Sequence, residues 1–100
     1  MRTQHLSSIA KLRSALWQME IDSGLAELSQ NEKDVLYAFH LLSDQANTTD
    51  LTSERVRQQS TVSRMTHATF HRALRKLLEL GYVELAPDRR AKLYRLGTVD

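Results

Sequence analysis

The stretch from Met65 to Val83, MTHATFHRALRKLLELGYV, is hard to fold as anything but a single amphipathic helix. Thr66 is suited to cap it, because a threonine hydroxyl accepts a hydrogen bond from a free N–H of the first turn. Phe70 falls at the fourth helical position and Met65 just before the cap, the spacing of a hydrophobic staple. At ~100° per residue, Phe70, Ala73, Leu74, Leu77 and Gly81 cluster within about 60° of one direction. Ala68, Arg72, Arg75 and Glu79 point the other way, with Thr69, His71 and Lys76 on the flanks. Gly81 is placed to end the helix in the left-handed conformation.

The residues before it read as support for this helix. Leu51-Thr52 repeats the device of Met65-Thr66, with Val56 at the fourth position, and predicts a short helix over about 53–60. The linker STVSRM turns Val62 and Met65 inward. Two capped helices joined by a short turn, the second basic on its outer face, form a helix-turn-helix. After Gly81 the period changes to two: Val83 and Leu85 alternate with Tyr82, Glu84 and Ala86, Pro87-Asp88 interrupts, and Leu93 to Leu96 alternates again. This predicts a hairpin with a basic tip, PDRRAK, and completes a winged helix-turn-helix.

Upstream, a helix is expected from Ser7 or Ser8 to Ser23, ended by a left-handed Gly24. Leu6, Ile9, Leu12, Leu16 and Met19 form a stripe along it, with Ala10, Trp17 and Ile21 on the shoulder. An arc that wide exceeds one seam, so the helix is expected to face both its own domain and a partner subunit; the alternative is a helix wrapped onto its own core. Ser29 and Glu32 form a capping box for the next helix, whose Val35, Leu36, Phe39 and Leu42 belong to the core. Tyr37 and His40 flank that face as packing residues. SDQANTTD reads as a loop, and its glycosylation sequon as chance.

The expected fold is therefore mainly α with a small β-hairpin, one domain over 1–100. Residues 6–23 form the N-terminal helix and 25–97 the winged helix body. With no cysteine, disulfides and thiolate metal sites are excluded. No long apolar run suggests a signal peptide or membrane span, and a cytoplasmic location is expected. The net charge of +2 is unevenly spread: residues 1–52 hold four cations against seven carboxylates, net −3, and residues 53–100 hold ten against five, net +5. That asymmetry is expected where one half meets phosphate, the alternative being a solvated basic surface.

At this point the chain resembles the winged helix-turn-helix regulators of the MarR class. The matching residues are THATFHRALRKLLELGYV at 66–83, like that family's recognition helix and its exit, and DRRAKLYRL at 88–96, like its wing. The resemblance implies a DNA-binding transcriptional regulator, a repressor acting as a homodimer, with Asp88 and Arg90 ordering the wing tip. In that family helices after the wing build most of the dimer contact. Since none follows here, the first helix is expected to supply it through Leu6, Ile9, Leu12, Leu16 and Met19.

The residues then take roles. Thr66 and the helix N-terminus hold a phosphate. Ala68, Thr69 and Arg72 face the major groove, where arginine pairs bidentately with guanine, and His67, His71 and Arg75 flank them. Arg89, Arg90 and Lys92 meet phosphate or minor groove, while Arg55, Arg57 and Arg64 meet the backbone or are plain surface charge. His67 and His71, four residues apart, have the spacing of a metal pair, but no third ligand is evident. No metal, cofactor, small-molecule effector or catalytic residue is assigned, and no enzyme is expected. Other readings are a winged helix that docks an acidic protein partner, or a DNA binder in replication or plasmid maintenance.

Overall fold

The computed structural model describes residues 2–46, 50–86 and 92–97. It is mainly helical with one two-stranded antiparallel sheet. The elements are α1 (Arg2–Asp22), α2 (Gln30–Ala46), α3 (Ser53–Arg57), α4 (His67–Leu80), β1 (Val83–Leu85) and β2 (Tyr94–Leu96).

The core forms where the sequence periodicities converge. Val35, Leu36, Phe39 and Leu42 of α2 meet Phe70, Ala73, Leu74 and Leu77 of α4, all buried, with Val56 of α3 and Val62 of the following turn closing one side. Burying each large aliphatic or aromatic side chain contributes about 1.5–3 kcal/mol, so the α2–α4 contact dominates stability. The hairpin closes the other side. Tyr94 sets its ring edge-on to Phe39 at 6.3 Å between centroids, and Val83 is wholly buried. The register pairs Val83 with Leu96, Glu84 with Arg95 and Leu85 with Tyr94. Leu51 exchanges two backbone hydrogen bonds with Tyr94, of 2.8 and 2.7 Å, and so borders β2 on its free side.

Local signals set the helix ends. Ser29 Oγ accepts from the Glu32 N–H at 3.1 Å while Glu32 Oε1 accepts from the Ser29 N–H at 3.0 Å, the reciprocal capping box. Thr52 and Thr66 cap α3 and α4 through the N–H groups of Arg55 and Thr69. Gly24 lies at φ 77° and Gly81 at φ 86°, and at the end of α4 an alanine would adopt that left-handed conformation only at a cost. Gly97 donates its N–H to the Tyr82 carbonyl at 2.8 Å, and a Cβ on it would run into the Gly81 carbonyl oxygen. The close approach of hairpin and helix exit depends on that missing atom.

Several boundaries differ from the sequence reading. The first helix begins at Arg2, well before Ser7, and α2 continues through Ala46 into the residues read as a loop. In both places adding a turn to an existing helix is inexpensive, so polar composition alone does not stop it. α3 ends at Arg57 rather than near Ser60, its C-cap being Gln58. Leu85, read as alternating inward with Val83, stands 51% exposed, while Ala86 beside it is buried. The hairpin tip at 87–91 lies outside the described residues.

The largest departure concerns α1. Leu6, Ile9, Leu12, Leu16, Trp17, Met19 and Ile21 are all exposed, and among the described side chains of this helix Glu20 alone is buried. The expectation that α1 packs part of its apolar arc on its own domain is not met along most of its length. Glu20 joins it to the body instead: Lys33 Nζ donates to one carboxylate oxygen at 2.9 Å and the Tyr37 hydroxyl to the other at 2.7 Å. Tyr37 is thus more than the packing residue its position suggests. The two donors, tyrosine first and then lysine, hold Glu20 below its ordinary carboxylate range. Burial, and then the Glu20 carboxylate, keep the Tyr37 hydroxyl protonated far above its usual range.

A pH dependence follows. A carboxylate whose folded-state pKa is depressed adds stability that is present above its ordinary value, 4.5, and is lost as pH falls through the folded value. Thermal melts should therefore lose stability on the acid side of 4.5, and Glu20→Gln should flatten that loss. An identical acid profile in the variant would mean that the Glu20 fork does not operate in solution.

Candidate nucleic-acid interface

Helix α4 separates its functions by face. Phe70, Ala73, Leu74 and Leu77 are buried, whereas His67, Ala68, Arg72 and Arg75 are exposed and Thr69 and His71 lie half-buried at the margin. Thr66 accepts the Thr69 N–H and donates its hydroxyl to Thr69 Oγ1 at 2.9 Å, and Arg72 Nη2 donates to the same oxygen at 3.4 Å. The cap and the leading arginine are therefore connected through Thr69, which orients Arg72 as well as facing outward itself.

The two histidine rings lie 4.2 Å apart between centroids, tilted by 38°, and His71 meets the Phe70 ring edge-on at 5.2 Å. Burial first, then the positive charges of His67, Arg57 and Lys92, hold His71 below its usual imidazole range. The shift favours the neutral imidazole, which donates one hydrogen bond and accepts another, over the cation that would attract phosphate. Among the described residues no three histidine, cysteine or carboxylate side chains come together as a metal site.

The other cations distribute unevenly. Lys92 is brought beside α4, where it lines a cleft of about 190 Å³ with His71, Leu74, Arg75, Leu78 and Tyr94. Arg57 sets its guanidinium 5.7 Å from the centre of the Phe70 ring, and its buried Nε has no hydrogen-bond partner. It is therefore part of the α3–α4 contact, with any phosphate contact left to its outer nitrogens. Arg55 and Arg64 are exposed, on α3 and in the turn before Thr66. Arg95 pairs across the strands with Glu84 at 2.7 Å, a neutral pair that leaves the basic excess of this half unchanged. Arg89 and Arg90, with Asp88, lie outside the described residues.

One neighbour of the face was not legible in the sequence. The first turn of α2, through Ser29, Asn31 and Glu32, forms a polar cleft of about 240 Å³ with Thr69, Arg72 and Ala73. Only the packing of α2 across α4 places it there, some forty residues away along the chain. The residues expected at the dimer contact, Leu6, Ile9, Leu12, Leu16 and Met19, are together on α1 and exposed. No helix among the described residues is long and apolar enough to cross a membrane. No protein-family model matches the chain, and no curated protein or solved structure gave a significant match.

Proposed function

We propose that this chain is a winged helix-turn-helix protein that binds double-stranded DNA as a homodimer and regulates transcription, repressing it by occupying the promoter. The observation that carries the reading is the two-faced α4, capped by Thr66, buried through Phe70 to Leu77, and presenting Ala68, Arg72 and Arg75 outward. A helix about 10–12 Å across with its side chains matches the width of the B-DNA major groove, about 12 Å. Lys92 beside its outer edge, and the basic hairpin tip in the sequence, supply phosphate contacts next to the groove. α3 and its turn brace α4 from behind, with Val56 and Val62 in the core. The homodimer rests on the exposed apolar stripe of α1.

Arg72 carries the sharpest test. A bidentate arginine–guanine pair contributes about 1–3 kcal/mol of discrimination, so Arg72→Ala should weaken binding to a selected duplex by about tenfold and broaden its sequence preference. Selection of genomic fragments by the purified protein, followed by titration of the enriched duplex at low and high salt, measures both. A palindromic consensus with steeply salt-dependent binding is expected. Absence of duplex binding at any salt would leave the basic face as a docking surface for an acidic protein.

A further inference from the structure

We infer that the cleft between α4 and the hairpin seats one backbone phosphate of the duplex, held by Arg75 and Lys92, and that His71 in its wall takes up a proton from solvent as the phosphate enters. The inference rests on the reading of α4 as the helix that enters DNA, and it adds a proton to the binding equilibrium.

Two elements build the cleft. His71, Leu74, Arg75 and Leu78 recur at i, i+3, i+4 and i+7 along one edge of α4, and Lys92 and Tyr94, two residues apart, meet them from the chain entering β2. Leu74 and Tyr94 are buried and Leu78 half-buried, whereas Arg75 and Lys92 are exposed, so an apolar floor lies beneath a cationic rim. Opposite charges attract more strongly beside such a floor than in open water. Among the described residues no carboxylate lines the cleft. Its volume of about 190 Å³ is several times the ~30 Å³ share of one water in the liquid, which leaves room for a phosphate group. Its position suits one as well. A helix about 10–12 Å across fills a major groove about 12 Å wide, so the two sugar-phosphate strands bounding the groove run along its flanks. The strand on the hairpin side passes the mouth of this cleft.

The surroundings of His71 make the proton part of the event. Its ring lies 4.2 Å from that of His67, one turn earlier, with Arg57 of α3 and Lys92 of the hairpin acting on it and Arg75 one turn further along the cleft. Burial and these neighbours oppose its protonation in the free protein. A phosphate between Arg75 and Lys92 offsets their charge, and the protonated ring can donate a charge-assisted hydrogen bond to a phosphate oxygen. Linkage is reciprocal: the factor by which the phosphate favours the proton is the factor by which the proton favours the duplex. Affinity should therefore rise as pH falls through the ring's value in the complex. It should level off below the ring's value in the free protein, which lies under the usual 6.5. Couplings between two sites commonly reach about fivefold or more, and a rise of that size is expected between about pH 8 and about pH 5, where histidine changes charge.

The test uses the full chain and the duplex enriched from genomic fragments. Fluorescence anisotropy across that pH range, at fixed ionic strength, gives the affinity in conditions where the DNA phosphates keep their charge. His71→Gln should flatten the rise, and its melting curve shows whether the fold is kept. Lys92→Gln should weaken binding to every sequence alike and lower the salt slope by about one. Residue-resolved NMR of the His71 ring needs no variant: its titration should move to higher pH when duplex is added, and far less when inorganic phosphate replaces the duplex. An equal movement with inorganic phosphate would make the cleft a site for the free ion and overturn the assignment to DNA. Tight duplex binding with a ring that titrates alike in free and bound protein would overturn the proposal and leave the DNA reading standing. No duplex binding at any pH or salt would remove that reading, and the ligand of this cleft with it.

Discussion

Substituting Leu12 and Leu16 together with glutamate is expected to leave a folded monomer whose affinity for its duplex falls by about a hundredfold or more. Leu12 is 71% and Leu16 40% exposed, and neither belongs to the core built on Phe39 and Phe70, so the body should keep its fold. In a pair, four carboxylates would enter one apolar seam, and leaving charge there without partners is far more costly than leaving leucine in water. The loss at DNA follows from linkage. Joining two binding modules makes the second half-site contact effectively intramolecular, and the avidity gained is about 10²–10⁴. Light scattering reads the mass and fluorescence anisotropy the affinity. An unchanged mass would remove α1 as the dimer contact.

Truncating Phe70 to alanine should act through stability instead. Its side chain is wholly buried, lies under the Arg57 guanidinium and touches the edge of His71. Phe-to-Ala changes in a core cost about 3–5 kcal/mol, against a total stability of about 5–15 kcal/mol for a domain. At about 4–8 °C per kcal/mol for a domain of this size, the melting temperature should fall by more than about 12 °C. DNA binding should fall with it, since Phe70 fixes the rotation of α4 about its own axis. The two variants separate cleanly, because the α1 substitutions should change mass with little change in the melting of the body. A Phe70→Ala protein melting within a few degrees of the unaltered chain would contradict the packing described here.

The two faces of α4 were legible because their determinants are close in sequence. Thr66 and Thr69 are three residues apart, Phe70 to Leu77 recur at the helical period, and Gly81 ends the pattern. Arg72 and Arg75 could therefore be placed outward from the sequence. The role of Thr69 in holding Arg72 was not, since it depends on rotamers. The α2 turn beside Arg72, the seat of Arg57 on Phe70 and the Leu51 bridge to Tyr94 join segments distant along the chain. Tyr37 looked like a flank of the α2 stripe, and nothing local to it announced the Glu20 carboxylate seventeen residues earlier.

The first helix separates the two kinds of information. Its sequence determined that it is helical and that Leu6, Ile9, Leu12, Leu16 and Met19 share a side, because periodicity and hydrogen bonding act over three or four residues. Whether that side meets its own domain or is left bare depends on the angle at which the helix leaves the body. Only the tertiary structure decided that, through Gly24 and the hold of Lys33 and Tyr37 on Glu20. One ion pair and one hydrogen bond at the end of the helix direct the rest of it away from the core, and no local pattern encodes where a helix points.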